Sequence, residues 1–339
     1  MESPLTERVS KRFDAGDLVS IAQKGTTWLP RFLRKNDPLL ADDRLDSIPL
    51  DDRMGPPSNG EPSGVATVPI VHKLSCVDPR ARLAEGVEIG PFCVIGPDVS
   101  VGAGTKIQNN VTIVGHTVLG ANNLVFPNTV LGTIPQDKKF GGETTRLEIG
   151  DNNHIRENVT IHLGTGNGGG LTKIGSNNLL MVGVHLGHDV RVGDHCILAN
   201  NVLLAGHVHL GNHVVLSGAV GIHHFVTVGD YAYSTGMIKI NRDVPPFVKI
   251  DDDDRIRAVN SLGLRRNGFA DSDISAIERA VWKLFLDKDR VPMNVLLGQF
   301  RDGAFPELSA NAHVLRVIEF LERRNLGKHG RYLESQRAG

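Results

Sequence analysis

The sequence is poor in aromatic residues: two tryptophans, three tyrosines and twelve phenylalanines among 339 residues. Large rings carry much of the burial in ordinary cores, so this chain must fill its interior with aliphatic side chains. No apolar run approaches the roughly 18 residues of a membrane helix, and the opening stretch MESPLTERVSKRF has no signal-peptide core. There are three cysteines, Cys76, Cys93 and Cys196. Their odd number and wide spacing argue against a disulfide framework and point to reduced thiols in a cytoplasmic protein. Neither charge is in excess, with 37 Lys+Arg against 38 Asp+Glu, so no global field attracts nucleic acid or an anionic membrane. What the chain has in quantity is glycine, 38 residues, which suits a turn-rich repeat better than a helical bundle.

Residues 1–66 stand apart, ending in DDRMGPPSNGEPSG, whose Pro, Gly, Ser and Asp content reads as a linker. From Val77 a period of six takes over: Val77, Leu83, Ile89, Ile95, Val101, Ile107, Ile113, Leu119, Val125 and Leu131 are all aliphatic. It returns at Ile149, Ile155 and Ile161, then runs from Ile174 to Ile240 with Ser234 as its one break. A helix repeats at 3.6 and a strand at 2, so neither accounts for this pattern. One short strand and one turn per hexapeptide do, and three such sides close a coil of 18 residues that stacks into a parallel β-helix. The period does not reveal the hand of the coil.

Two stretches interrupt the repeat. GTIPQDKKFGGETTRLE is expected to replace two hexapeptides with a loop, and LGTGNGGGLTK forms a second excursion. GTGNGG satisfies the dinucleotide pattern G-x-G-x-x-G, but a strand-like repeat follows it instead of a helix, which excludes that reading. The β-helix is assigned to residues 67–248, ending at DVPPF, and a small α-helical domain to residues 249–339. In that domain Ile274, Ile277, Val281, Leu284 and Phe285 fall at helical spacing behind a cap at Ser272, as do Val314, Val317, Ile318 and Leu321 further on.

Eight of the fourteen histidines lie between residues 185 and 224. The 18-residue stacking puts Gly206 and His207 one coil beyond His188 and Asp189, with His224 a coil further. An imidazole can act as a general base near neutral pH, a carboxylate can set its tautomer, and a glycine amide can approach a developing oxyanion without obstruction. His195, His209 and His213 lack the combination of a carboxylate directly after the ring and a glycine one coil away, and read as solvated or packing residues. A zinc reading is weaker. Trimeric β-helix carbonic anhydrases use two histidines five residues apart, but residue 193 is Gly and residue 228 is Val; only the pair His185 and His188 remains.

At these residues the chain resembles the UDP-N-acetylglucosamine acyltransferase family, which starts lipid A synthesis. The likeness rests on IPQDKKFGGETTRLEIGDNNHIREN, TIHLGTGNGGGLTKIGSNNLLM, HLGHD, CILANNVLLAGHV, IHHF and DVPPF and covers about residues 70–339. It implies a mainly β fold, a left-handed parallel β-helix of hexapeptide repeats followed by a small C-terminal α-helical domain. It also implies a cytoplasmic homotrimer with active sites between subunits. By the resemblance, His188 is the general base held by Asp189, and Gly206 is the oxyanion donor. Gln136, Asp137 and Lys139 match a loop that contacts the sugar nucleotide, and His185, His207 and His223 match other pocket residues. Gly236 matches the acyl-length ruler, while Asn260 and Arg266 match nucleotide contacts. The implied partners are acyl carrier protein, as acyl donor, and a UDP-sugar; no metal and no resident cofactor are implied.

The chain departs from the family at His224, where glutamine is usual, at Leu262 in place of an acidic residue and at Asn267 in place of an arginine. The acidic run Asp251–Asp254 is a further departure. These leave two alternatives: acyl transfer to another nucleotide sugar, on an amino group for instance, and a non-enzymatic β-helix scaffold. The last 29 residues carry six Lys/Arg against three Asp/Glu, a balance suited to steering an acidic carrier protein.

Overall fold

Most hexapeptides fold as a two-residue strand followed by a corner, and the second strand residue points inward. In Leu203–Leu204 the first leucine is exposed and the second buried. Strands 18 residues apart pair in parallel register, as Leu186 with Leu204 and Leu204 with Ile222. The result, in a computed structural model that describes residues 68–251, 254–287 and 291–336, is a three-faced left-handed parallel β-helix. Its faces, here A, B and C, hold eleven, nine and eight strands. The extension and linker assigned to residues 1–66 lie outside the described residues, as do Asp252 and Asp253.

The core is a stack of aliphatic columns. On face B, Ile95, Ile113, Leu131, Ile161, Leu186, Leu204 and Ile222 are all buried, each contributing about 1.5–3 kcal/mol of burial free energy. Ser234 occupies an aliphatic position yet is fully buried; its hydroxyl accepts the Ser217 amide at 3.3 Å, so the polar atom is not orphaned. Many corners need a left-handed residue, and asparagine supplies it at 110, 128, 158, 177 and 201. Its short polar side chain tolerates that conformation.

Both excursions leave the same edge, between faces B and C, which is called the BC edge below. The first does not replace two hexapeptides. Had it done so, Ile149 would stack on Leu131; instead Ile149 stacks on Leu119 and Leu131 on Ile161. Thirty residues rather than eighteen therefore separate stacked positions, and twelve residues bulge from a coil that keeps its three sides. The second excursion works alike: Ile149 pairs with Ile174, so seven extra residues leave that corner.

Strand structure runs past residue 248. Val248–Asp251 joins face A in parallel, and Arg255–Val259 folds back antiparallel on it. The helical region thus begins at Ser261–Arg266, because the chain spends one more strand pair covering the end of the core. The helix Asp271–Val281 buries Ile274, Ile277 and Val281, and a π-helical turn Trp282–Leu286 buries Leu284. Ser272 is not its cap. Ala270 holds that position and Ser272 lies exposed in the first turn, where Asp271 and Asp273 complement the positive helix end. Helix Ala312–Asn325 buries Val314, Val317, Ile318 and Leu321, and Asn311 caps it by accepting the amides of His313 and Val314.

Candidate active site

The strand His185–Leu186 on face B ends at the BC edge, where His188 and Asp189 form the corner. Asp189 adopts φ 60°, an uncommon conformation for a residue with a side chain. It aims a nearly buried carboxylate back at its neighbour, so that His188 Nδ1 lies 2.8 Å from Asp189 Oδ2. Thr165, from the second excursion, donates to the same carboxylate twice, from its amide to Oδ1 at 2.9 Å and from its hydroxyl to Oδ2 at 2.6 Å. Burial pushes the Asp189 carboxyl up, but the hydrogen bonds of His188 and Thr165, with the His207 ring nearby, outweigh it and hold the group below its ordinary value. An ionised carboxylate can only accept, so His188 Nδ1 carries a proton, and the neutral ring then holds its lone pair on Nε2.

One coil on, Gly206 faces that ring. A Cβ there would sit 2.5 Å from both Cε1 and Nε2 of His188, so no other residue fits without moving the imidazole. The flanking residues keep their interstrand bonds, Ala205 to Ile222 O and His207 to His188 O. His207 stands edge-on to His188 with centroids 4.9 Å apart and stacks flat on Phe225 at 4.3 Å. Its Nδ1 is 3.8 Å from Asp189 Oδ2. The stacking expected from 18-residue arithmetic is therefore present, with His188, Asp189, Gly206 and His207 in one cluster.

The remaining candidates are spread more widely. His185 bonds Thr160 Oγ1 through Nδ1 at 2.8 Å and meets His162 edge-on at 5.3 Å; burial, then the His162 ring, push its pKa down. His223 lies further along the BC edge, with Nδ1 donating to the His224 carbonyl at 3.0 Å. Gln136 and Lys139 are exposed on the first excursion, and Asp137 Oδ1 accepts the Lys139 amide at 3.0 Å. Gly236 belongs to the edge between faces A and B, so within one chain it is not part of the His188 cluster. Asn260 is buried as the cap of Ser261–Arg266, accepting from Gly263 and donating to Tyr231 O, and Arg266 is exposed in the last turn of that helix. These two sit beside the edge between faces C and A, again away from His188 within the chain.

Sequence reasoning missed several residues that build the site. Gly164 and Gly168 belong to the rejected dinucleotide-like motif, and their real role is space: Cβ atoms there would lie 2.9 and 2.1 Å from the Asp189 carboxyl group. Thr172 accepts the Asp189 amide at 2.8 Å. His162 bonds Ile134 O at 2.7 Å and so ties the first excursion to the coil. Subtracting the seven inserted residues as well as the repeat length would have set Gly164 beneath Asp189.

Among the described residues, His188, Asp189 and His207 form a cluster whose potential metal-ligand atoms lie within 4.8 Å of one another. The His185–His188 pair is not that cluster, because His185 turns to Thr160 and His162. A nitrogen that donates a hydrogen bond to Asp189 has no lone pair for an ion, so the arrangement as it stands suits proton transfer better than ligation. Two open clefts among the described residues lie elsewhere. One runs beside His209, Asp230, Arg316 and Arg323, the other beside Arg242, Arg324 and Arg331. Several cations of the basic tail are engaged internally: Arg316 pairs with Asp230, Arg331 with Glu334 and Arg324 with the Asp243 carbonyl.

Two family profiles match the chain. One, described as bacterial transferase hexapeptide (six repeats), matches residues 80–115 and 171–206, and one for the second domain of UDP-N-acetylglucosamine O-acyltransferase matches residues 243–329. The chain is 39% identical over 258 residues to the acyl-[acyl-carrier-protein]–UDP-N-acetylglucosamine O-acyltransferase of Thermodesulfovibrio yellowstonii, covering 76% of this chain and 98% of that protein. It is 47% identical over 211 residues to the protein of the same name from Saccharophagus degradans, covering 62% and 82%. Among solved structures, LpxA from Acinetobacter baumannii is similar with a TM-score of 0.69 at 40% identity, covering 74% of this chain and 96% of that one.

Proposed function

The chain belongs to the UDP-N-acetylglucosamine O-acyltransferase family, and on that premise we propose that it moves an acyl chain from acyl carrier protein to the 3-hydroxyl of UDP-N-acetylglucosamine, the first step of lipid A biosynthesis. The observation that carries this reading is the His188–Asp189 bond of 2.8 Å with Gly206 against the free edge of the ring. His188 Nε2 takes the proton of the sugar hydroxyl while that oxygen attacks the thioester carbonyl carbon. Asp189, ionised and buried, stabilises the imidazolium. The tetrahedral oxyanion meets the Gly206 amide, and its collapse expels the carrier thiolate, to which His188 returns the proton. No resident cofactor or metal enters this sequence, because the thioester supplies the activated acyl group.

The assembly belongs to the proposal too. At the His188 edge, a pocket deep enough for a sugar nucleotide needs a second wall. Phe92, Val94, Val182, Leu203 and Met237 are exposed apolar side chains on face B and its border with face A. Burying them favours a homotrimer with sites between subunits. In that arrangement Gly236, Asn260 and Arg266 of one copy line the site of the next. No described helix is long and apolar enough to cross a membrane, and the proposed compartment is the cytoplasm.

Purified protein, incubated with acyl carrier protein thioesters and either UDP-N-acetylglucosamine or its 3-amino analogue, tests the reading. Turnover of the hydroxyl acceptor supports it. Turnover of the amino sugar alone, or of neither, overturns it. Light scattering coupled to size exclusion checks the trimer.

A further inference from the structure

We infer that Thr165 and Glu143, one from each excursion, are positioning residues that set the orientation of the His188 ring. The inference rests on the proposed function for its kinetic consequence, but its geometry stands independently. Thr165 Oγ1 accepts the Gly168 amide at 3.1 Å, so its own proton is directed to Asp189 Oδ2. With the Thr165 amide on Oδ1, both carboxylate oxygens are fixed, and the carboxylate plane can present only one lone-pair direction to His188 Nδ1. Gly164 and Gly168 allow this approach, since a side chain at 168 would occupy the place of the carboxylate.

Thr165 itself heads the short 3₁₀ turn Gly166–Gly168, which has little packing of its own and no buried side chain. Glu143, reaching across from the first excursion, holds that turn. Its Oε1 accepts the Gly166 amide and its Oε2 accepts Gly141, each at 2.8 Å. The amides, with Gly166 foremost, keep the Glu143 carboxyl below its ordinary value, so the clamp is ionised at neutral pH. The order of contacts is thus Glu143, Gly166, Thr165, Asp189, His188. Because Gln136, Asp137 and Lys139 share the first excursion with Glu143, the segment expected to touch the acceptor is the one that steadies the base.

Full-length wild type, Thr165→Val, Thr165→Ser and Glu143→Gln are compared. Valine keeps the shape of threonine and removes the hydroxyl, whereas serine restores it. For Thr165→Val the expected result is a fall in kcat on the order of 10- to 100-fold with KM for UDP-N-acetylglucosamine within about twofold, as a misaligned base predicts. Thr165→Ser should recover most of the loss, and Glu143→Gln should lose several-fold. The second readout is nitrogen-edited NMR of the imidazoles: wild type and Thr165→Ser show a protected His188 Nδ1–H resonance, which Thr165→Val loses and Glu143→Gln broadens. Wild-type kcat or a retained resonance in Thr165→Val overturns the inference, as does failure of serine to restore them. If Thr165→Val does not fold, Glu143→Gln decides by the same two readouts. A wild type without turnover sinks the proposed function alone, and the NMR comparison then decides the positioning role.

Discussion

Two edges of the same prism carry histidines within the same 18-residue repeat, and they arrange them in opposite ways. On the edge between faces C and A, His195, His213 and Tyr231 all take left-handed backbone conformations and stack nearly parallel, 4.8 and 4.5 Å apart, with Phe247 continuing the column. Phe269 and His313 close it from the helical region. On the BC edge Asp189, His207 and Phe225 take that conformation, but the residue before the first, His188, stands at 89° to His207 with a carboxylate beneath it and a glycine beside it. Acidic residues exist on the first edge too, yet Asp194 and Asp230 accept the amides of Ser176 and Asn212 instead of an imidazole. The two edges differ in what the carboxylate beside each histidine is bonded to.

The sharpest way to break this contrast is to delete one ring from each edge. His188→Ala should lower kcat roughly 10²- to 10⁴-fold with melting nearly unchanged, while His213→Ala should leave turnover close to wild type; equal losses would erase the distinction. Next comes Gly206→Ala, whose methyl group would collide with the His188 ring. A displacement of the base by about 1 Å is expected to cost on the order of 10²-fold in kcat, read against acyl carrier protein thioesters at saturation.

A third measurement examines the strip between the edges. His209 is held neutral by burial, with Arg191, His207 and Arg323 adding to the effect, and its pKa is pushed down to about 4. The unfolded chain binds that proton near the ordinary value of about 6.5, so the native state loses stability as pH falls from there towards 4. Chemical denaturation across that window should show the loss, and His209→Asn should flatten it. The smallest effect is expected for stability in His213→Ala, which removes the stacks on His195 and Tyr231, each worth about 0.5–1.5 kcal/mol, visible as a small drop in the denaturation midpoint.

The repeat was legible because one aliphatic side chain per six residues is a one-dimensional signal, and multiples of 18 then predict neighbours. That is why His188, Asp189, Gly206 and His207 could be grouped from the sequence: no insertion falls between residues 185 and 228. Where insertions break the count, prediction failed. Thr165, Gly168 and Glu143 sit on the bulged corners, and the loop before Ile149 was assigned two sides of a coil that it does not form. Ser272 misled because a capping residue type proves nothing until the first helical residue is known, and two acidic residues flanking it already serve the helix end.

By itself the sequence determined the coil, since only a three-sided stack buries Ile or Leu at every sixth position and leaves the next residue at a corner. It also determined which histidines share an edge. The tertiary structure decided which edge could hold a base. The direction in which the Asp189 carboxylate faces its neighbouring ring depends on a threonine 24 residues away and on glycines that make room for it. Hydrogen-bond direction is a property of atoms within about 3 Å, and no period in the chain encodes it.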